Sequence, residues 1–376
     1  MTGLYLHIPF CHSKCGYCDF YSLTGDDASV AKYVASLRRE LEQKAAHWQG
    51  PFDSVFFGGG TPSRLSSAQV TQLLDSVRNE YGLIADAEVT LEANPGTVSE
   101  SSLDGYRAAG INRLSFGVQT FSDPQLKALG RAHSSAQAHA AFRAARRVGF
   151  DNLSCDLIFA LPNQDGVALE RDIETLLKLA PEHLSAYGLT LEEGTPLYQR
   201  HQQQALPLPD DEHYAELYLL LDRRLAAAGY RHYEISNYAR PGYECRHNRD
   251  VWRRRPYLGV GAGAHSFYAT NWGERRHIPP DLERYQTCID KGCDPSQRLE
   301  FFDRQAAMSE TAYLALRTAE GVICDDFLNR FGTPFDEVFR DAIRQCGEQL
   351  HHASGSWHFT PEGWLLYDHL IQPFLL

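Results

Sequence analysis

The chain has 376 residues, 43% of them hydrophobic and 22% charged, and it carries a formal net charge of −12. This composition is ordinary for a globular protein of about two domains, whereas the acidic balance argues against a nucleic-acid-binding scaffold. No run approaches the roughly 20 apolar residues of a transmembrane helix, so we expect at most peripheral membrane contact.

The nine cysteines bear on the cellular compartment. They are odd in number and irregularly spaced, which is not the pattern of a disulfide framework. The first ten residues, MTGLYLHIPF, lack the positively charged segment of a signal peptide. We therefore expect a cytoplasmic protein, because thiols stay reduced there and clustered thiols more often bind metal.

The first 240 residues alternate β-rich runs with amphipathic helical patterns. Strands are predicted at residues 4–10, 54–57, 88–92, 113–118, 153–160, 183–190 and 232–236. Helices are predicted at residues 28–47, 66–80, 99–109, 135–148, 166–179 and 211–228. Such alternation is typical of βαβ units and a parallel sheet. The number of units favours an α/β fold with a full or partial (β/α) barrel over a doubly wound sheet, with the functional residues just after the strands.

The character of the chain changes near residue 275. Residues 279–297 are polar and poorly periodic, and we interpret them as a connection. Helical patterns follow at 304–319, 323–331 and 334–350, then a short strand at 357–360 and a last helix at 364–375. These elements predict a small helical, winged-helix-like domain. The expected division is therefore 1–275 for the barrel and 276–376 for the connection and the C-terminal domain.

Three closely spaced thiols follow the first predicted strand. Cys11, Cys15 and Cys18 have three and two residues between them, so their thiolates can reach three corners of one cubane cluster. One iron then stays open for a ligand or for chemistry. The alternatives are buried structural cysteines or a zinc site, for which His7 or His12 would have to supply the fourth ligand.

The spacing CxxxCxxC directly after a strand resembles the signature of the radical S-adenosylmethionine (SAM) superfamily. The resemblance implies a [4Fe–4S] cluster on the three thiolates, with the amino and carboxylate groups of SAM on the fourth iron. It also implies that one electron from the cluster releases a 5′-deoxyadenosyl radical from SAM. The protein then has to hold cluster and sulfonium together and keep water out.

Motifs after the later strands resemble the SAM pocket of that superfamily. A glycine run lets the backbone approach a ligand, although a flexible turn explains it equally well in isolation. A carboxylate in the barrel mouth can accept hydrogen bonds from an ammonium group or a ribose hydroxyl. By resemblance, the SAM-binding residues are Tyr5, Tyr17, Gly59, Gly60, Thr61, Glu92, Gln119, Arg131 and Asp156. Arg131 is expected to face the SAM carboxylate, Asp156 the ribose, and the two tyrosines the adenine.

Further motifs narrow the resemblance to the oxygen-independent coproporphyrinogen III oxidase family, over nearly the whole chain. They are HIPFC, CDF, GGGTP, EANPG, SFGVQTF, LGRxH, DLIxxLP and a later HN…W. The oxidases of that family have CxxxCxxCxC and an N-terminal arm ahead of the first strand. Here Phe20 stands in place of the fourth cysteine, and three residues precede the strand at Leu4. Both features resemble the HemW-like haem chaperones, a subgroup that binds haem and passes it to acceptors such as respiratory enzymes.

The haem-linked motif of that subgroup, HNxxYW, matches residues 247–252, except that Val251 replaces the tyrosine. The resemblance implies that His247 binds the haem iron, for which a neutral imidazole is the usual protein ligand. Taken alone, one of 16 histidines is more often structural or solvated. The arginines at 253–255 either pair with the haem propionates or form a solvated face.

The expected function is that of a haem chaperone which carries a [4Fe–4S] cluster and SAM, binds haem and delivers it to acceptor proteins. No catalytic residue is assigned. One alternative is oxidative decarboxylation of coproporphyrinogen III, and another is radical SAM chemistry on a different substrate. The resemblance allows a homodimer, and we expect no nucleic-acid partner.

Overall fold

The computed structural model describes residues 2–48, 50–203 and 205–376. Its strands are β1 (Gly3–Ile8), β2 (Phe10–Cys11), β3 (Leu23–Thr24), β4 (Phe52–Gly59), β5 (Leu83–Ala93), β6 (Arg113–Gln119), β7 (Leu153–Phe159), β8 (His183–Gly188), β9 (Arg231–Glu234), β10 (Asn237–Ala239), β11 (Tyr257–Val260), β12 (His265–Tyr268), β13 (Glu274–His277), β14 (Gln297–Phe301), β15 (Val322–Ile323), β16 (Leu350–Ala353) and β17 (Ser356–Phe359). Its α-helices are α1 (Asp27–Ala45), α2 (Ser67–Glu80), α3 (Glu100–Ala109), α4 (Asp123–Ala128), α5 (Ser135–Arg147), α6 (Gly166–Leu179), α7 (Pro196–Gln202), α8 (Asp211–Ala227), α9 (Arg246–Trp252), α10 (Leu282–Asp290), α11 (Arg304–Ala315), α12 (Cys324–Phe331), α13 (Phe335–Val338), α14 (Arg340–Cys346), α15 (Pro361–Leu365) and α16 (Tyr367–Leu370).

Twelve of the strands form one sheet, in the order β14-β13-β12-β11-β1-β4-β5-β6-β7-β8-β10-β9. The central six, from β1 to β8, are parallel and follow one another in chain order. Because crossover connections are right-handed, an order that never reverses puts the crossover helices on one face of the sheet and curls it towards a barrel. The prediction of a partial (β/α) barrel is confirmed, and the strand order excludes a doubly wound sheet.

The helices of the barrel form where the sequence supplies both a cap and an apolar face. In α2, the Ser66 side chain accepts a hydrogen bond from the Gln69 N–H, and the Gln69 side chain accepts one from the Ser66 N–H, which satisfies two end donors at once. The buried face of this helix comprises Val70, Leu73, Leu74, Ser76 and Val77. No helix within the described ranges is long and apolar enough to cross a membrane.

The segment interpreted as a connection, residues 279–297, instead contributes regular structure. It contains helix α10 and leads into strand β14, which begins at Gln297 and forms one edge of the large sheet. All five residues of β14 are exposed, so this edge strand lacks the apolar–polar alternation that marks a half-buried strand in sequence. The barrel sheet therefore extends beyond the expected boundary at residue 275.

The C-terminal region has its own apolar core. Helices α11 to α16 pack with a small antiparallel sheet in the order β15-β17-β16, around phenylalanines such as Phe327, Phe335 and Phe359. The helix predicted at 334–350 is divided into α13 and α14, because Phe339 leaves the helical conformation with φ −109° and ψ 26°. The helical region and its hairpin follow the predicted order of elements.

Candidate functional site

A cavity of about 400 Å³ opens at the carboxyl ends of the parallel strands. Parallel strands bring their carboxyl ends to one edge, which is where barrel enzymes place their sites. Eleven of the thirteen predicted site residues line this cavity: Cys11, Cys15, Tyr17, Cys18, Gly59, Gly60, Thr61, Glu92, Gln119, Arg131 and Asp156. The remaining two, Tyr5 and His247, do not line it.

The thiol loop, residues 11–20, is fastened to the barrel by its backbone. The Gly16 N–H donates to the Leu129 carbonyl over 3.0 Å, and the Leu197 N–H donates to the Gly16 carbonyl over 2.8 Å. Two of its sulfur atoms have side-chain donors. The Thr61 hydroxyl lies 3.3 Å from Cys11 Sγ, and Arg131 Nη1 lies 3.3 Å from Cys15 Sγ. Donors of this kind stabilise a thiolate, which is the form that binds metal.

A zinc ion at these thiols would need a fourth ligand, for which the sequence offered His7 or His12. His7 is already engaged, with Nδ1 3.1 Å from the Tyr5 hydroxyl and Nε2 3.1 Å from the Tyr21 carbonyl. A cubane needs thiolates more widely separated than the ligands of one ion. Three thiols around one cavity, two of them with donors, therefore fit a [4Fe–4S] cluster.

The glycine run is required by close packing of the strand end on the thiol loop. A Cβ on Gly60 would lie 2.9 Å from the Pro9 carbonyl carbon and 3.1 Å from Cys11 Sγ. Gly59 has φ +112°, and a Cβ there would lie 2.7 Å from the His7 ring. These contacts leave bare backbone on this wall of the cavity, which suits a ligand that approaches closely.

Two carboxyl groups face the cavity from neighbouring parts of the sheet. Burial, together with the nearby Asp156, raises the pKa of Glu92 to about 8. Burial also raises the pKa of Asp156, whose Oδ1 accepts a hydrogen bond of 3.0 Å from the Ser115 hydroxyl. A cationic ligand in this cavity would offset the cost of ionising both groups. The amino group and sulfonium of SAM have that charge.

Gln119, the last residue of β6, and Arg131 both line the cavity. Gln119 has φ +71°, an unusual value for a residue other than glycine, at an irregularity in the pairing of β6 with β7. Such conformations cost about 1–3 kcal/mol and concentrate at functional sites. Arg131 Nη2 donates to the Gly117 carbonyl over 2.6 Å, which holds the guanidinium between strand and thiol loop.

The two tyrosines predicted to flank the adenine lie in different places. Tyr17 lines the cavity. Tyr5 points instead to His7 and to Phe56, whose ring is stacked on it with centroids 6.2 Å apart. The structure does not bring Tyr5 to the cavity, so its contact with SAM stays a prediction.

His247 lies at the opposite, amino-terminal end of the barrel strands. Its Nδ1 is 3.2 Å from the Ser54 hydroxyl, and a Cβ on Gly3 would approach it to 3.0 Å. The side chain is only 6% exposed, and its ring is stacked on Phe56 with centroids 5.2 Å apart. Burial, with a contribution from Arg113, lowers the pKa of His247 to about 4. The imidazole is thus neutral but enclosed.

Helix α9, which carries His247, is anchored by a buried carboxylate. Glu88 Oε1 accepts hydrogen bonds from the N–H groups of Arg246 and His247, over 2.9 and 3.3 Å. A carboxylate at a helix amino terminus stabilises that end. The three arginines after the helix are also committed, to Glu320, Glu310 and Asp250, so they are not a free set of partners for propionates.

Sequence reasoning missed one aromatic residue of the cavity. Tyr187, the penultimate residue of β8, lines it and is 46% exposed. Its place just before a strand end is the signal that identified the other cavity residues, and the same rule applied to β8 would have found it.

Comparison with known families divides the chain into two matched parts. The family model described as Radical SAM superfamily matches residues 5–180, and the model described as HemN C-terminal domain matches residues 302–366. The first match contains all the cavity residues predicted for cluster and SAM. The second corresponds to the C-terminal helical region.

Curated proteins match the chain over its full length. The heme chaperone HemW of Bacillus subtilis is 35% identical and covers 100% of this chain and 99% of its own length. Those of Escherichia coli, 35% identical, and Lactococcus lactis, 33% identical, cover 99% and 100% of this chain and 98% and 97% of their own lengths. Among solved structures, E. coli coproporphyrinogen III oxidase (HemN), described as a radical SAM enzyme, has a TM-score of 0.85 over 99% of this chain and 89% of its own. At 22% identity, that likeness shows a shared fold.

Proposed function

We propose that this chain, which belongs to the HemW family of haem chaperones within the radical SAM superfamily, binds haem and passes it to acceptor proteins. The observation that carries the proposal is full-length similarity, at 33–35% identity, to three curated haem chaperones. Phe20, in place of the fourth cysteine of the oxidases, agrees with it.

The cavity is where we place the [4Fe–4S] cluster and SAM. When bound, they supply a one-electron donor and a source of the 5′-deoxyadenosyl radical. Cys11, Cys15 and Cys18 would hold the cluster, and Thr61 and Arg131 donate to two of the three sulfur atoms. The residues that we propose for SAM are Tyr5, Tyr17, Gly59, Gly60, Thr61, Glu92, Gln119, Arg131 and Asp156.

The carboxyls of the cavity hold or release protons according to what occupies it. With its pKa near 8, Glu92 is mostly protonated at neutral pH when no cation is bound beside it. A cation bound nearby lowers that pKa and favours the carboxylate. Glu92 can therefore release a proton when SAM binds, while Asp156 stays oriented by the Ser115 hydroxyl.

The role of His247 as haem ligand is a separate proposal. With 6% exposure and its Nδ1 bonded to Ser54, the ring does not fit a macrocycle as it stands. Helix α9 would first have to leave Glu88, which bonds its amino terminus. The chaperone proposal therefore does not rest on His247.

A second candidate function is oxygen-independent coproporphyrinogen III oxidation. It is favoured by a cavity that suits a cluster with SAM, whereas the likeness to the E. coli oxidase shows only the shared fold. Against it stands Phe20, which removes the fourth cysteine of the oxidase motif. We keep it as the alternative that the experiment must separate.

The test compares both activities on one preparation. The protein is reconstituted anaerobically with iron and sulfide and titrated with haemin, and the haem-loaded protein is then mixed with apomyoglobin. In parallel, it is incubated with coproporphyrinogen III, SAM and dithionite. We expect saturable haem binding and transfer to apomyoglobin, without protoporphyrinogen IX. Absence of haem binding would contradict the chaperone proposal, and catalytic formation of protoporphyrinogen IX would establish the alternative.

We also propose that the protein acts in the cytoplasm. Its partners would be acceptors such as respiratory enzymes, and it would have no nucleic-acid partner. All nine cysteines lie within the described ranges and are unpaired, which suits a reducing compartment. The net charge of −12 disfavours nucleic acid. A homodimer is a further proposal, to be tested by sedimentation with and without haem.

A further inference from the structure

Two aromatic side chains stand exposed at the cavity. Phe20 is 65% exposed and Tyr187 is 46% exposed, and both line the cavity that the thiols share. The large hydrophobic residues exposed in the described ranges include one other aromatic side chain, Phe301. It is 54% exposed on β14 and does not line the cavity. Ligand-binding cavities are commonly lined by aromatic side chains together with a few polar groups.

The two rings come from different strands of the sheet. Phe20 ends the thiol loop that follows β1, and Tyr187 is near the carboxyl end of β8. Four parallel strands, β4 to β7, separate β1 from β8, and β11, which is also parallel, flanks β1 on its other side. The rings therefore belong to two separate parts of the cavity wall.

The interior of the cavity is needed for other groups. The cluster and SAM are proposed to occupy it, held by the thiols, glycines and carboxyls that line it. A ligand that is larger than SAM and flat must then lie across the mouth. Haem has that shape, and its aromatic macrocycle would cover the apolar rings.

We propose that Phe20 and Tyr187 form an aromatic seat, on which the macrocycle of haem lies across the mouth of the cavity. This inference rests on the proposed function, because it takes haem as the cargo. Stacking on two rings without a buried iron ligand leaves haem exchangeable, which delivery to an acceptor requires.

The cavity lining carries charges of both signs, with the carboxyl groups of Asp19 and Glu192 as well as two cations. Lys14 is exposed and lines the same cavity, so its ammonium group is available to a propionate. Arg131, the other cation of the cavity wall, is already bonded to Cys15 Sγ and the Gly117 carbonyl. The seat is also distinct from His247, which lies at the other end of strands about 20 Å long.

The test measures haem affinity in the reconstituted protein by haemin titration. Phe20→Ala is compared with wild type and with Phe301→Ala, which removes another exposed ring from outside the cavity. We expect Phe20→Ala to weaken haem binding roughly tenfold, and Phe301→Ala to change it less than about twofold. SAM affinity and iron content should be unchanged in both variants.

A second measurement reports whether the bound macrocycle lies close to the cluster. Zinc protoporphyrin IX is a fluorescent analogue of haem, and an iron–sulfur cluster beneath it quenches its emission. We expect quenching with cluster-loaded protein, little quenching with cluster-free protein, and weaker binding of the probe by Phe20→Ala. Equal emission from the bound probe in both forms of the protein would overturn the seat.

The outcomes separate this inference from the proposed function. If wild type binds no haem, the chaperone proposal fails and the seat fails with it. If wild type and Phe20→Ala bind haem equally, the seat is refuted and the chaperone proposal stands. If Phe20→Ala loses SAM but keeps haem, the ring belongs to SAM. Should Phe20→Ala fail to retain its cluster, Tyr187→Ala provides the decisive comparison.

Discussion

Gly60 lies directly against Cys11. A methyl group on Gly60 would come within 3.1 Å of the Cys11 sulfur and within 2.9 Å of the Pro9 carbonyl carbon. The backbone N–H of Gly60 also donates to the Ile8 carbonyl over 2.8 Å. The end of β4 thus sets the position of the first thiol, and the glycine of the GGGTP motif is needed by the protein itself before any ligand binds.

Gly60→Ala is expected to displace the thiol loop, since the Pro9 backbone cannot yield as a flexible side chain would. We expect the reconstituted variant to retain less than about half of the wild-type iron and sulfide, and to lose the remaining cluster faster to a chelator. Gly166→Ala is the matched control. A Cβ there meets only the Leu220 side chain, at 3.6 Å, and its cluster content should equal that of wild type.

Arg131 is expected to raise the reduction potential of the cluster through its hydrogen bond to Cys15. Replacing it with Gln removes a positive charge and the hydrogen bond of 3.3 Å to the sulfur, and both changes disfavour the reduced cluster. The midpoint potential, measured by anaerobic redox titration with EPR detection, should become more negative. Arg200→Gln is the comparison, because Arg200 bonds the Ala128 carbonyl instead of a thiol. An unchanged potential in Arg131→Gln would contradict the assignment.

Glu92 is expected to make the empty protein less stable as pH rises. Its folded-state pKa of about 8 lies above its ordinary value of 4.5, so the folded state binds the extra proton between these values. The stability contribution is therefore complete below pH 4.5 and is lost as pH rises to about 8. Thermal unfolding should show Glu92→Gln gaining stability over wild type from pH 5 to 8. Glu193→Gln, at an exposed position, should show no such trend.

Replacing His247 is expected to lower the free energy of unfolding of the protein. His247→Ala removes a buried ring stacked on Phe56 and a hydrogen bond to Ser54, which should lower the free energy of unfolding by roughly 2–4 kcal/mol. Denaturant unfolding of the cluster-free protein measures this loss. The exposed His201→Ala should stay within about 0.5 kcal/mol of wild type, and an equally small loss for His247→Ala would refute the buried role.

The buried imidazole of His247 is also expected to make the stability of the protein depend on pH in the acid range. The folded-state pKa of His247, about 4, lies below its ordinary value of 6.5, so its neutral form contributes stability above pH 6.5 that is lost as pH falls towards 4. The melting temperature of wild type should fall more steeply over this window than that of His247→Ala. Parallel curves would show that the imidazole is not enclosed in solution.

Strong local patterns accounted for most of the barrel. Helix α6 was predicted with its observed bounds, because its apolar positions recur at helical spacing. Helix α9 and strand β14 were not predicted as elements. The first is a short helix held mainly by the distant Glu88, and the second is exposed on both faces. Neither leaves a periodic pattern in its own residues.

The sequence by itself determined the chemistry of the cavity. The spacing of Cys11, Cys15 and Cys18 and the motifs at later strand ends predicted eleven of its lining residues, because parallel strands in chain order must bring their carboxyl ends together. Only the tertiary structure decided what is accessible. In the folded protein Phe20 is exposed and His247 is enclosed. Burial depends on residues that are distant in the chain, such as Ser54 against the His247 ring, and these contacts cannot be inferred from local sequence.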